Sequence, residues 1–347
     1  MILYVVRYHP ALSETFVRDE AAGLHALGLP IELAAFDARE NVELPLPFPV
    51  HAQPHRWGWL PWLPRLLLEW LRRPGSLSPR VLWLAALVRR ARHVHVHFAG
   101  EAALWARAAC ARAGVPYTLT VHAADLFKPL PGLGELLHDA REVLTISAHN
   151  QAHIAEQYGV ETRVVRMGVA LPLAAAEPSA PPILMFAGRN VPKKGLDTLL
   201  EAARGLDRRA RIVVYSNLAT HEEVEVLGLR PHAECLSAMA RATALVLPCR
   251  RAQDGDMDGI PVVLIEAMAR GLPVITTGVS GLPELVDEEV GWVVPPGDAD
   301  ALRVAMRAVI DDPAEARSRG EAGRRRVRAR GFLRDAQLAA MHEVFSA

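Results

Sequence analysis

The sequence predicts an α/β protein of two domains, each a parallel sheet with crossover helices. Three observations carry this. Short apolar runs rich in β-branched residues alternate with helical patterns from end to end, the rhythm of βαβ units. A length of 347 residues suits two domains of roughly 150 to 180 residues better than one core. An Ala- and Pro-rich stretch at residues 171–182, LPLAAAEPSAPP, breaks the alternation and reads as a linker. Two lobes imply a cleft.

In the first domain, residues 1–170, strands are expected at Leu3–Val6, Ile31–Ala35, Val94–His97, Thr118–Val121, Val143–Ile146 and Arg163–Val165. Helices fill the gaps. Ser13 is a good N-cap for a helix over Thr15–Leu27, and Ser147 for one over Ala148–Tyr158. In the second domain, residues 183–332, strands are expected at Ile183–Ala187, Ile212–Tyr215, Ala244–Leu247, Val274–Thr277 and Gly291–Val294. Helices follow over Asp300–Ile310 and Pro313–Arg330, and a last one runs over Leu333–Phe345.

Composition narrows the function. Formal net charge is zero with 51% hydrophobic residues, so the broad positive footprint of a nucleic-acid binder is missing and no nucleic-acid partner is expected. Cys110, Cys235 and Cys249 are widely spaced and lack a CxxC pairing, which argues for a reducing compartment and against a zinc module. The apolar start, Met1 to Val6, meets Arg7 without a basic leader, and no uncharged run approaches the length of about 18 residues that spans a bilayer. A cytoplasmic protein is expected.

Two segments carry chemistry. In Asp254–Pro273, DGDMDGIPVVLIEAMARGLP, an acidic glycine loop runs into a helix whose first turn suits Pro261 and Val262. The positive end of that helix favours a phosphate. Glu266, a turn further on, can accept two hydrogen bonds from a ribose diol, and Asp258 stands just ahead of the helix. In Phe186–Thr198, FAGRNVPKKGLDT, Arg189, Lys193 and Lys194 follow the first strand of the second domain, at the usual ligand end of a parallel sheet. The chain has 36 arginines and three lysines, yet two lysines sit side by side here. That marks a place where a compact ammonium is wanted rather than a planar fork, although one of the pair can equally be a solvated turn residue.

With these residues the chain resembles a retaining glycosyltransferase of family 4, of the GT-B fold, closest to the branch that builds bacterial exopolysaccharides such as colanic acid. The resemblance rests on PALSETF at Pro10–Phe16, HVHVHFA at His93–Ala99, TVHAADLF at Thr120–Phe127, the ISAHN and RMGV segments, GRNVPKKG at Gly188–Gly195, and DGIPVVLIEAMARGLPV. It covers nearly the whole chain. It implies two Rossmann-like domains facing each other across a cleft, with the final helix at 333–347 crossing back onto the first. It further implies that Glu266 holds the ribose, Asp258 contacts the donor sugar, and Arg189 and Lys194 bind the diphosphate. His122 would face the donor sugar and the reaction centre, and Ser13, Glu14 and Thr15 would approach the diphosphate and acceptor. The family's paired glutamates become Asp258 and Glu266 here, and its glycine-rich turn after Tyr215 and the passage that follows are replaced by YSNLATHEEVEVLGLRPHAE, whose Asn217 is taken as a donor contact. The implied reaction moves a hexose from a UDP- or GDP-linked sugar to a glycan or lipid-linked glycan. It retains configuration and needs no metal or other cofactor, since fixed cations and a helix N-terminus can stabilise the leaving diphosphate. The rival readings are a non-catalytic nucleotide- or glycan-binding partner subunit and a nucleotide-sugar epimerase, the latter disfavoured because no acid and base pair is evident.

Other features weigh the other way. Asp254, Asp256 and Asp258 open a DxDxDG calcium loop, but the twelfth position is Ile265, which cannot close it. His93, His95 and His97 share a strand face, yet neighbours on such a face stand about 7 Å apart, too far to share one ion. Asp125 reads as bracing its loop as readily as touching substrate. Trp57, Trp59, Trp62 and Trp70, with Arg56, Arg65, Arg72 and Arg73, form either an interfacial patch in peripheral contact with the inner membrane or a buried seam between lobes. The run Arg324–Arg330 reads as a solvated helix face.

Overall fold

The computed structural model describes every residue except 10–13, 38–44, 55, 73–77, 173–174, 207–208 and 347. Ser13 and part of the 171–182 stretch lie outside the described residues. The chain divides into two compact units, Met1–Ile146 with Asn150–Val165 and Gln337–Ala347, and Ser147–His149 with Arg166–Ala336. This division falls a few residues before the sequence boundary at 171, and hydrogen bonds explain the shift. Arg166 pairs with Glu284 at 2.7 Å, and Val169 pairs with Leu333.

In the first unit the elements follow as β1 (Ile2–Tyr8), α1 (Thr15–Ala26), β2 (Ile31–Asp37), β3 (Val50–Ala52), α2 (Leu63–Arg72), α3 (Pro79–Val88), β4 (His93–His97), α4 (Glu101–Ala113), β5 (Tyr117–Val121), α5 (Ala123–Phe127), α6 (Leu133–Asp139), β6 (Glu142–Thr145), α7 (Ala148–Tyr158) and β7 (Thr162–Val164). The strands form a parallel sheet in the order β3-β2-β1-β4-β5-β6-β7. Its central strands β4 and β5 are buried on both faces, and each carries polar side chains on one of them, His93, His95 and His97 on β4 and Thr118 and Thr120 on β5. Alternation still sorts the side chains. Leu3, Val5, Val94 and Val96 enter one core with Phe36 and Trp83, while Ile2, Tyr4 and Val6 enter a second core with Leu24 and Phe345.

The second unit comprises β8 (Ile183–Ala187), α8 (Leu196–Ala203), β9 (Arg211–Tyr215), β10 (Glu225–Val226), α9 (His232–Met239), β11 (Ala244–Val246), α10 (Val262–Ala269), β12 (Val274–Thr277), β13 (Gly291–Val294), α11 (Ala299–Asp311) and α12 (Pro313–Ala329). Its parallel sheet runs β10-β9-β8-β11-β12-β13. Asp298 and Asp312 cap α11 and α12, accepting from the N–H groups of Ala301 and Glu315.

The last helix, α13 (Arg334–Ser346), packs Leu338, Met341, Val344 and Phe345 into the second core of the first unit. Its approach is close. A Cβ on Gly23 of α1 would lie 2.6 Å from Leu338 Cδ1, so a larger residue there would have to push the Leu338 side chain aside.

The main differences from expectation are local. The edge strands β3 and β10 are too short to give a periodic signal. The first N–H groups of α7, on Ala148 and His149, are held by the Glu284 carboxylate at 3.1 and 2.9 Å. Burial works against that carboxylate, but these two N–H groups and Arg166 hold it below its ordinary range. The arginine run is not wholly solvated either. Arg326 turns in to meet Asp287 at 2.6 Å and Glu289 at 2.9 Å.

Strand order reverses direction at β1 and β4 in the first sheet and at β8 and β11 in the second. Crevices at the C-terminal ends of strands beside such switch points are where open α/β sheets bind ligands. The segments singled out in the sequence emerge from these ends.

Candidate functional site

The structure gathers the sequence-predicted residues into two groups, one in each unit. In the second unit, the loop after β8 makes a 3₁₀ turn over Pro192–Lys194 that ends at Gly195. Gly195 has φ +67°, and a Cβ there would lie 1.9 Å from the Pro248 carbonyl oxygen. Glycine is required twice over, for the left-handed backbone and for the contact. This pins the lysines beside the loop that leads from β11 to α10.

Both lysines turn inward. Lys194 Nζ lies 2.8 Å from Asp258 Oδ2, and Lys193 Nζ lies 3.0 Å from Asp256 Oδ1 and 3.5 Å from Asp258 Oδ1. Lys193 is therefore no solvated turn residue; Asp256 supplies the partner that lets it be buried. Burial pulls the Lys194 ammonium down, but the Asp258 charge, the nearby Cys249 and the hydrogen bond to Asp258 together hold the group above its ordinary value. Burial likewise opposes the Asp258 carboxylate, and Lys194 and then Lys193 hold it below its ordinary range. The acidic loop is neutralised by fixed ammonium groups, and Asp256 N–H closes on Asp254 Oδ1 at 3.2 Å. Arg189 is exposed in the same loop and bears electrostatically on Lys194.

Helix α10 begins one residue later than expected. Pro261, at φ −61° and ψ 127°, is its N-cap, and Val262 is its first helical residue. The cause is the Pro261 backbone, which is extended. Glu266 is buried one turn in, and its Oε1 lies 2.5 Å from His232 Nε2. His232 escaped the sequence reading because it opens α9 inside the segment that departs from the family pattern. Asn217 is exposed and its Oδ1 accepts from Asn190 N–H at 2.7 Å, so it braces the Arg189 loop.

In the first unit, His122 is the N-cap of α5, directly after β5, and forms a capping box with Asp125. The Asp125 carboxylate accepts from His122 N–H at 2.9 Å and from Ala99 N–H at 3.0 Å, and burial pushes it up to about 6 despite these bonds. Asp125 thus braces the loop. Phe98, with φ +67°, stacks near the His122 ring at a centroid distance of 4.3 Å. A bulky residue in this region stores strain of about 1 to 2 kcal/mol. Phe16 of α1 also meets His122, at 5.2 Å between centroids. Glu14, the N-cap of α1, and Thr15 after it stand at the same end of the sheet. Glu14 borders a cavity of about 20 Å³ with Tyr8, His9 and Arg18.

Behind His122 runs a buried chain of hydrogen bonds. Glu20 Oε1 lies 2.8 Å from the Tyr4 hydroxyl and 3.1 Å from His97 Nε2, and Glu20 Oε2 lies 2.7 Å from Gln337 Nε2. His97 Nδ1 lies 3.3 Å from His122 Nε2. A carboxylate only accepts, so His97 donates from Nε2 to Glu20. Burial, and then the neighbouring His97, hold His122 well below its ordinary value, so the ring is neutral. His95 and His97 lean together to 4.8 Å between centroids, closer than strand spacing alone gives, and with Glu20 they bring three ligand-type atoms within 4.8 Å of one another.

Two family profiles fit the chain. Residues 13–171 match "Glycosyltransferase Family 4" and residues 174–326 match "Glycosyl transferases group 1". Anabaena Alr3699/HepE, in complex with UDP and glucose, superposes with a TM-score of 0.78 at 18% identity, covering 100% of this chain and 99% of that one. The chain has the GT-B fold. Over 167 residues the chain is 36% identical to the putative colanic acid biosynthesis glycosyltransferase WcaL of Escherichia coli, covering 42% of this chain and 41% of that protein. Over 140 residues it is 36% identical to the amylovoran biosynthesis glycosyltransferase AmsK of Erwinia amylovora, covering 35% and 34%. The matched stretches thus span less than half the length of these curated relatives.

Proposed function

We propose that the chain is a cytoplasmic, retaining and metal-independent hexosyltransferase of bacterial surface polysaccharide synthesis. Its donor is a UDP- or GDP-linked sugar and its acceptor a glycan or lipid-linked glycan. The observation that carries the reading is the second-unit cluster. The Lys194 ammonium, fixed by Asp258, and the exposed Arg189 guanidinium stand in the loop after β8, Asp258 just ahead of α10, and Glu266 one turn inside it. A helix N-terminus with adjacent cations suits a diphosphate, and a buried carboxylate suits a ribose diol. UDP in the HepE complex and exopolysaccharide synthesis in the names of WcaL and AmsK support the same assignment.

In the reaction the bond from the sugar C1 to the diphosphate oxygen breaks while a bond from the acceptor oxygen to C1 forms on the same face. A phosphate oxygen takes the acceptor proton. Lys194 and Arg189 stabilise the charge that grows on the leaving diphosphate, a contribution of about 3 kcal/mol for each well-placed donor. Neutral His122 faces the sugar as a polar, uncharged wall, and Glu14 and Thr15 approach the diphosphate and acceptor. The reading of a non-catalytic partner subunit draws on one observation, that Glu266 and Asp258 already have partners in His232 and the lysines.

Incubation with UDP- and GDP-hexoses in EDTA, followed by proton NMR of the anomeric signal, tests the proposal. Release of one nucleoside diphosphate with the configuration retained in the transferred or hydrolysed sugar is expected. Inversion, or turnover only with a divalent ion, contradicts it. Binding without any turnover moves the chain to the non-catalytic reading.

A further inference from the structure

The tryptophans and leucines of α2 and the turn before it divide in a way that the sequence left open. Trp59, Trp62 and Trp70 pack against the first core, and Leu66 is buried in it. Leu60, Leu63, Leu67, Leu68 and Leu71 face the other way, with 48% to 59% of their surface exposed. Leu63, Leu67 and Leu71 are spaced at four residues, so they form one ridge along the helix. Contiguous exposed apolar surface of this kind marks an interaction site.

The charge around the ridge is one-sided. In a chain of zero net charge, residues 56–92 hold eight arginines and one acid, Glu69. Beside the ridge, a recess of about 320 Å³ is lined by Trp62, Arg65, Ala86, Leu87 and Arg90, with the Arg65 guanidinium 5.3 Å from the Trp62 ring centre. Two arginines and an indole at the edge of a leucine face suit a phosphate headgroup above acyl chains. An isologous contact with a second copy would instead bring these like charges face to face. At ten residues α2 is about 15 Å long, and no helix among the described residues is long and apolar enough to cross a membrane.

We infer that the leucine face of α2 docks the protein flat on a bilayer surface rich in anionic phospholipid, with Arg65 and Arg90 on the headgroup phosphates. The inference is independent of the donor site and holds whether or not the chain turns over a sugar nucleotide.

Co-flotation of the full chain with vesicles tests it, using phosphatidylcholine alone or phosphatidylcholine doped with phosphatidylglycerol, at low and high salt. The wild type should bind the anionic vesicles roughly tenfold more tightly than the neutral ones, and salt should weaken that binding. The L63S/L67S/L71S variant should lose roughly tenfold or more, and R65E/R90E should lose the preference for anionic lipid. The altered residues are exposed, so thermal melting should be unchanged and confirms folding. Failure to bind either vesicle, or leucine and arginine variants that bind like the wild type, overturns the inference. So does a wild-type dimer in light scattering that L63S/L67S/L71S converts to monomer, which assigns the face to a second copy.

Discussion

The two units each bury titratable groups within or beside a parallel sheet, and handle them in opposite ways. In the first unit desolvation wins. His95 and His122 fall well below their ordinary value and His93 falls to about 4, with burial as the leading cause in each case. These three stay neutral, His93 and His95 bonded to Thr118 and Thr120 and His122 to His97. In the second unit Coulomb attraction wins. Lys194 and Asp258 both move toward their charged forms despite burial, because opposite charges stand within 3 Å of each other. A buried group keeps its charge only where a counter-charge is already in place. The neutral network suits a wall that shapes a pocket, and the charged one suits a site that receives an anion.

Substitutions can break this contrast, and the largest effect is expected at Lys194. Lys194→Ala should lower kcat/KM about 100-fold or more, and Lys194→Arg should recover little of it, because a planar fork does not replace a point charge. A loss under about tenfold would reduce Lys194 to a structural counter-ion of Asp258. Asp258→Asn should cost about 3 kcal/mol of stability in urea titration, since it leaves both lysines short of a partner. An unchanged midpoint would show that the lysines reach solvent.

Acid should then separate the units. The folded state leaves His93, His95 and His122 neutral where the unfolded chain protonates them. Stability is therefore lost as pH falls below about 6.5, down to about 4 for His93 and lower for the other two. Asp125, raised to about 6, takes up a proton in the folded state over the same window and offsets one of the three. The net slope is roughly 2 to 3 kcal/mol per pH unit. Asp258 is depressed, so its contribution holds above the ordinary carboxylate range and is lost only as pH falls through it. Hydrogen exchange should show β4 and β5 losing protection near pH 5 while β11 and β12 keep theirs; parallel loss would contradict the contrast.

Smaller effects sharpen it further. Glu20 accepts from Tyr4, His97 and Gln337, and an amide cannot face all three donors. Glu20→Gln should therefore cost about 1 to 3 kcal/mol and shift the nitrogen NMR signals of His122; unmoved signals would disconnect Glu20 from His122. Least of all, His232→Ala should tighten nucleotide binding about threefold by freeing Glu266 Oε1, an exchange of one hydrogen bond for another. Weaker binding would make His232 a donor contact itself.

Most of the fold was legible because βα periodicity is local. Strands such as Ile183–Ala187, Val274–Thr277 and Gly291–Val294 coincide with the observed β8, β12 and β13. What local pattern cannot show is a partner distant in sequence. The rarity of lysine drew attention to Lys193 and Lys194, but the burial of Lys193 depends on Asp256, 63 residues away. Glu20 left a signal that went unread. It sits with Val17, Ala21 and Leu24 on the buried face of α1, and an acid at a core position needs donors. Those donors come from strands β1 and β4 and from α13, the last of them 317 residues on. His232 left no periodic or compositional trace, being one histidine among 14.

The claim on which the rest depends is that the second-unit cluster holds a nucleoside diphosphate. Thermal shift of the full chain against UDP, GDP, ADP and their sugar conjugates in EDTA, with Glu266→Ala and Lys194→Ala beside the wild type, tests it most directly. The account predicts stabilisation by one nucleotide that disappears in both variants; a folded wild type that none of these ligands stabilises would contradict it.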